Sequence, residues 1–346
     1  MSSLRANQKT NIEAHWAMLK TTLKNLYYNS SDILGISDYL LKRTTKNNKL
    51  ILTYHNVLPE SEFTKYFTNN VDLTVDVFRK HIEFLISNYS INDISTITNP
   101  DINGFYLSFD DAMLNNIEIV APILKEYGIT AMFGACSSLV NGELEYLWRD
   151  EIFLILKNSI GKKILFPSSH KNISIHITGE NINQNAALIT NVIQQEGLMG
   201  DVYNYIKGVK ASSDIHFNNI SQLRYGHASL EDLRQLKKEG HLIASHTRSH
   251  KKLSYLSDGQ QHDELRLSKE YFDKNIGETD HLVYPYGTFN EVNERSLNIA
   301  QEVGYNYAYM NLKNENENNH SISRLNLTNI KNESILKGFL ARINRF

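Results

Sequence analysis

The chain of 346 residues contains one cysteine, five prolines and no apolar run long enough to cross a bilayer. A lone Cys136 excludes an intrachain disulfide. Its position after the apolar run Ala131-Met-Phe-Gly-Ala135 marks it as a buried structural thiol rather than a nucleophile. Neither sign of charge is in excess. With 36 basic and 38 acidic residues the net charge is −2, which gives no electrostatic footprint for nucleic acid or an anionic surface. Residues 1–20 lack the continuous apolar core of a secretory signal, so the expected location is the cytoplasm, with peripheral attachment at the inner face of the membrane left open. What remains is a globular composition, 41% hydrophobic and 21% charged, at a length that suits one α/β barrel with insertions.

Apolar spacing over 11–43 predicts one or two amphipathic helices, making residues 1–48 an N-terminal helical extension ahead of a main domain over 49–346. From Leu50 the chain alternates short apolar strands with amphipathic helices. Strands are expected at Leu50–Tyr54, Phe105–Phe109, Thr130–Gly134, His241–Ser245, His281–Tyr284, Tyr305–Tyr309 and Ile322–Leu327. Helices are expected over 71–87, 113–127, 229–240, 260–275, 290–303 and 333–343, a βα rhythm that argues for parallel pairing. Residues 140–222 interrupt it with a helix over 148–156, a hairpin and two further helices. With no linker of its own, this stretch reads as an insertion on one face of the barrel.

Two strand ends carry groups that could do chemistry. Phe105-Tyr-Leu-Ser-Phe-Asp-Asp111 ends on adjacent carboxylates, which repel when buried unless a cation compensates them; a solvated turn is the plainer reading. The strand ending at Ser245 runs into His246-Thr-Arg-Ser-His250, two imidazoles four residues apart. Parallel strands would put both elements at one rim. A carboxylate and two imidazoles there leave an open coordination position, as a catalytic Zn²⁺ or similar ion requires, with the second Asp free as a base. Tyr54-His55 and Val283-Tyr-Pro-Tyr-Gly287 close two other strands, and by themselves either could be purely structural.

In this order, Tyr54-His55-Asn-Val57, Ser108-Phe-Asp-Asp111, Ser245-His-Thr-Arg-Ser-His250 and Tyr284-Pro-Tyr-Gly287 resemble the polysaccharide deacetylases with a NodB-homology domain, in the branch that acts on surface polysaccharides. The resemblance covers about residues 50–137 and 222–328. It implies a distorted (β/α) barrel in which Asp111, His246 and His250 hold one divalent ion, Zn²⁺ by preference, with Co²⁺, Ni²⁺ and Mn²⁺ as alternatives. It also implies Asp110 as general base, His55 as general acid and the Tyr286 N–H as oxyanion donor, acting on an N-acetylated carbohydrate. There are three departures. Val283 stands where the family often has an arginine that orients the base, a task for Arg324 or Arg149 to take over. Ala112 replaces the usual glycine after the acid pair, and no Leu-x-His follows near the C-terminus. The missing secretion signal favours a glycan precursor as substrate. The competing expectations are a carbohydrate-binding or scaffolding protein that has lost turnover, and an O-acetyl esterase using the same site.

Overall fold

A computed structural model describes residues 48–65, 72–169, 172–312, 314, 316–327, 330 and 332–341. The helices expected over 11–43 lie outside them. Strands β1 (Lys49–Tyr54), β2 (Asn56–Leu58) and β3 (Asp72–Thr74) lead into helix α1 (Val75–Asn88) and strand β4 (Gly104–Phe109). Helix α2 (Ala121–Glu126) and β5 (Met132–Ala135) follow. The insertion supplies α3 (Trp148–Lys157), β6 (Lys163–Phe166), β7 (Ile173–His176), α4 (Ile182–Gln195) and α5 (Val202–Ser212). The rhythm resumes with α6 (Leu230–Lys238), β8 (Leu242–Ser245), α7 (Asp258–Asn275), β9 (His281–Val283), α8 (Glu294–Val303), β10 (Tyr307–Tyr309), β11 (Leu325–Asn326) and α9 (Glu333–Leu340).

Seven strands form one parallel sheet in the order β10-β9-β8-β5-β4-β1-β11. All six residues of β4 are buried, as expected of a parallel strand covered on both faces. One residue from each of six strands (Ile51, Tyr106, Met132, Ala244, Val283 and Tyr309) falls in a single apolar cluster, the inside of a barrel. Their strand neighbours pack outward under α1, α2, α6 and α9. The segment 322–327 closes the ring. Ile322 bridges Tyr309, and three residues on Leu325 pairs with Leu52. This segment was expected to be one strand over Ile322–Leu327. Because it crosses the gap between β10 and β1, it pairs with each neighbour over only one or two residues, and that is the distortion in the barrel.

Register positions the chemistry. Tyr54 lies opposite Phe109 and Ala135 opposite Ser245, so the residues that follow these strands emerge level on one rim. The expected helix over 113–127 is less regular. Met113 instead forms a bridge with His227, and a π-type turn over Asn116–Val120 precedes α2.

The insertion has no core of its own. Trp148, Ile152, Ile189 and Ile206 share one buried cluster with Leu265 of α7, Leu282 of β9 and Ile299 of α8. Its hairpin β6–β7 is antiparallel, as expected.

Helix ends follow the sequence closely. Ser229 and Asp232 form a reciprocal capping box on α6, with acids in the first turn and Lys237 and Lys238 in the last. Buried neutral histidines make the fold acid-sensitive, and His81 is one of them. His81 of α1 is fully buried against Tyr54, and burial lowers its pKa to about 4. Its folded pKa lies below the unfolded value near 6.5. The stabilisation is therefore present above pH 6.5 and is lost as pH falls from there toward 4. The loss from this group should approach about 3 kcal/mol, read as a fall of the urea midpoint that is shallower in His81→Leu.

Candidate active site

The turn after β4 is unusual at the backbone. Asp111 has φ 72° and Ala112 φ 46°. The loop after β8 turns the same way at Thr247 (φ 65°) and His250 (φ 55°). Left-handed non-glycine residues are costly, and they concentrate where a site over-determines the backbone. These turns bring three side chains together. Asp111 Oδ1 lies 3.4 Å from His246 Nε2 and 3.2 Å from His250 Nε2. Among the described residues these three form the one group whose ligand atoms all fall within 4.8 Å of one another.

The chemistry of this cluster suits a divalent ion. His246 Nδ1 lies 2.7 Å from the Val283 carbonyl, which can only accept, so Nδ1 carries the proton and Nε2 presents its lone pair. The backbone around the pair is tied down: Trp148 Nε1 donates to the His250 carbonyl and Cys136 Sγ to that of His246. Asp111 Oδ1 is buried with no hydrogen-bond partner. Burial alone would push this carboxyl's pKa up, yet His250 and His246 outweigh that and hold it well below the usual range. An ionised oxygen facing two imidazole nitrogens is a donor set for a cation such as Zn²⁺.

Asp110 faces elsewhere. Arg324 grips it with two parallel bonds, Nη1 to Oδ1 at 2.6 Å and Nη2 to Oδ2 at 2.8 Å, while Nη1 also donates to Ser108 Oγ. Arg324 is fully buried and Asp110 is 2% exposed. Burial favours the neutral acid, but the guanidinium, with His246 and His55 adding to it, keeps the pKa lowered. His55 Nε2 lies 4.0 Å from Asp110 Oδ2. Of the two arginines expected to serve this carboxylate, Arg324 reaches it and Arg149 does not. Arg149 instead sits at the start of α3 with its guanidinium 5.9 Å from the Tyr286 ring centre. Its guanidinium is drawn over the aromatic ring that follows β9, while the segment after β10 brings Arg324 to Asp110.

Tyr286 has φ 62°, and its ring lies 4.8 Å from that of His250. Gly287 makes this turn workable, since a Cβ there would come within 2.5 Å of the Asn311 nitrogen. The Tyr286 N–H donates to no described residue.

Several groups at the rim were not singled out from the sequence. Asn116 donates to the His55 carbonyl, and Asn115 links the Val57 N–H to Asn56, which bonds Asp72 and through it Arg224. The two asparagines sit in a stretch read by its apolar positions alone, and the π-type turn is what aims them inward. His227, paired to Met113 before α6, belongs to no motif. Burial lowers its pKa to about 4.

Residues 172–308 match the family model described as "Polysaccharide deacetylase". Over that stretch, two-fifths of its length, the chain is similar to the polysaccharide deacetylases. The matched stretch includes His246, His250 and Tyr286; it starts inside the insertion and stops short of Arg324. Over 108 residues the chain is 31% identical to YxkH of Bacillus subtilis, whose own description as a polysaccharide deacetylase is provisional. That alignment covers 30% of this chain and 37% of YxkH. The fold is similar to that of the Streptococcus pyogenes deacetylase PplD, solved in complex with acetate, with a TM-score of 0.51 and 17% identity over 82% of this chain and 93% of that one. It is also similar to IcaB from Ammonifex degensii, with a TM-score of 0.50 and 13% identity over 86% and 97% of the two chains. At these identities the likeness is one of fold, and it agrees with the expected NodB-type barrel. No helix among the described residues is long and apolar enough to cross a membrane.

Proposed function

We propose that this protein is a deacetylase that removes the N-acetyl group from an amino sugar of a surface glycan or its precursor, using one divalent cation held by Asp111, His246 and His250. The observation that carries the reading is the division between two adjacent acids. Asp111 faces the imidazoles, while Asp110 is held apart by Arg324 and lies within 4.0 Å of His55. A bound cation, Zn²⁺ by preference, would supply Lewis acidity toward water and the acetyl carbonyl.

The chain's own residues account for the proton movements. Asp110, kept ionised by Arg324, takes a proton from the attacking water. The water oxygen bonds to the acetyl carbon, and the oxyanion formed meets the free N–H of Tyr286. As the carbon–nitrogen bond breaks, His55 gives a proton to the departing amine. Acetate and a free amino sugar result. The presence of acetate with PplD fits the product this reading requires.

Zinc titration of chelator-treated protein should show one ion bound per chain, and acetate release from N-acetylated oligosaccharides should follow its occupancy. His246→Ala should lose both the ion and the activity while keeping its far-UV CD. Full turnover without a metal, or in this variant, would overturn the reading.

A further inference from the structure

The imidazole of His55 is not steered from behind. Its Nδ1 is buried without a hydrogen-bond partner among the described residues, and its Nε2 stands 4.0 Å from Asp110 Oδ2, beyond direct hydrogen-bond reach. The place of the ring must therefore be set through its backbone. That backbone is not held by the sheet either. β1 pairs with β4 as far as Tyr54, and β2 pairs with β3 from Asn56 onward, so His55 falls between two ladders.

Side chains from the turn after β4 take over. Asn116 Nδ2 donates to the His55 carbonyl at 2.8 Å. Asn115 holds the next two residues: its Nδ2 donates to Asn56 Oδ1 at 2.7 Å, and its Oδ1 accepts from the Val57 N–H at 3.0 Å. Asn116 Nδ2 also reaches Asn115 Oδ1, at 3.1 Å, which joins the two amides into one clamp. Both asparagines are fully buried. On the other side of the segment, Asn56 Nδ2 donates to Asp72, whose second oxygen takes Arg224 in a buried ion pair.

Buried amides cost free energy unless their bonds are made, and a turn that only had to pack could be built from apolar residues. The same turn begins at Asp110, whose N–H donates to the Tyr54 carbonyl at 3.0 Å. The stretch 110–116 thus holds the backbone on both sides of His55 and carries the carboxylate that faces it.

We propose that Asn116, backed by Asn115, is a positioning residue that fixes the reach of the His55 imidazole toward the departing nitrogen. This rests on the deacetylase reading, in which His55 protonates the amine.

The test uses Asn116→Leu, which removes the amide at similar size, with Asn116→Ala in its place if the leucine variant does not fold. With N-acetylglucosamine tetrasaccharide as probe, kcat should fall about tenfold or more, the usual result of displacing a reacting group, while KM and zinc stoichiometry stay near wild type. In a His55→Ala background the same change should cost nothing further, because residues that act as a unit are not additive. A structural defect would lower both backgrounds alike. An unchanged kcat, an equal loss in the His55→Ala background, or lost zinc overturns the assignment. Crystal structures of wild type and variant give a reading that needs no substrate. His55 Nε2 should leave its place 4.0 Å from Asp110 Oδ2, and an unmoved ring overturns the proposal. If the wild-type protein releases no acetate from the tetrasaccharide, the deacetylase reading fails on that sugar, and the crystal structures still decide what Asn116 holds.

Discussion

Arg324→Met should destabilise the protein by about 3–5 kcal/mol, because removing one partner of a buried ion pair leaves the other charge uncompensated. Few single changes elsewhere should cost as much. The guanidinium is fully buried and makes two bonds to Asp110, a third to Ser108 Oγ and a fourth to the Met310 carbonyl. Urea unfolding at neutral pH measures the loss. Adding Asp110→Asn to Arg324→Met removes the stranded charge and should restore part of the stability, but none of the acetate release. Arg324→Lys should not substitute, since a single ammonium cannot make the paired bonds. If Arg324→Met unfolds at the wild-type urea concentration, the pair is not what holds Asp110.

Asp110→Asn alone is expected to lower acetate release by about 10²–10⁴-fold, the usual contribution of a positioned base. Metal binding should be retained, because Asp110 points toward Arg324 and His55 rather than toward the two imidazoles. Asp111→Asn should behave differently and lose the metal along with the activity. Measuring zinc stoichiometry and turnover on both variants separates the roles of two residues adjacent in sequence. Equal loss of metal in both would show that the acids act as a pair, contrary to the geometry.

How legible these features were in the sequence depends on how local their causes are. The two adjacent acids and His246-x-x-x-His250 could be read because each directly follows a buried strand, and parallel strands bring such ends to one rim. The capping box at Ser229 is equally local. Arg324 could be named only as one of two candidates. Which arginine reaches Asp110 depends on where segment 322–327 crosses the barrel gap, and pairing of one or two residues leaves little trace in periodicity. Asn115 and Asn116 were missed because their inward aim comes from a π-type turn, whose spacing differs from the helical period used to read that stretch. His227 escaped because nothing in its loop predicts an antiparallel bridge to Met113.

The strand that closes the barrel is also the one that delivers Arg324. Ring closure and charge compensation at Asp110 are therefore a single event. Until residues 322–327 settle between β10 and β1, the carboxylate beside His55 has no counter-ion, however complete the rest of the sheet is. Displacing 322–327 would leave the cluster of Asp111, His246 and His250, set by β4 and β8, in place while removing the ion pair at Asp110.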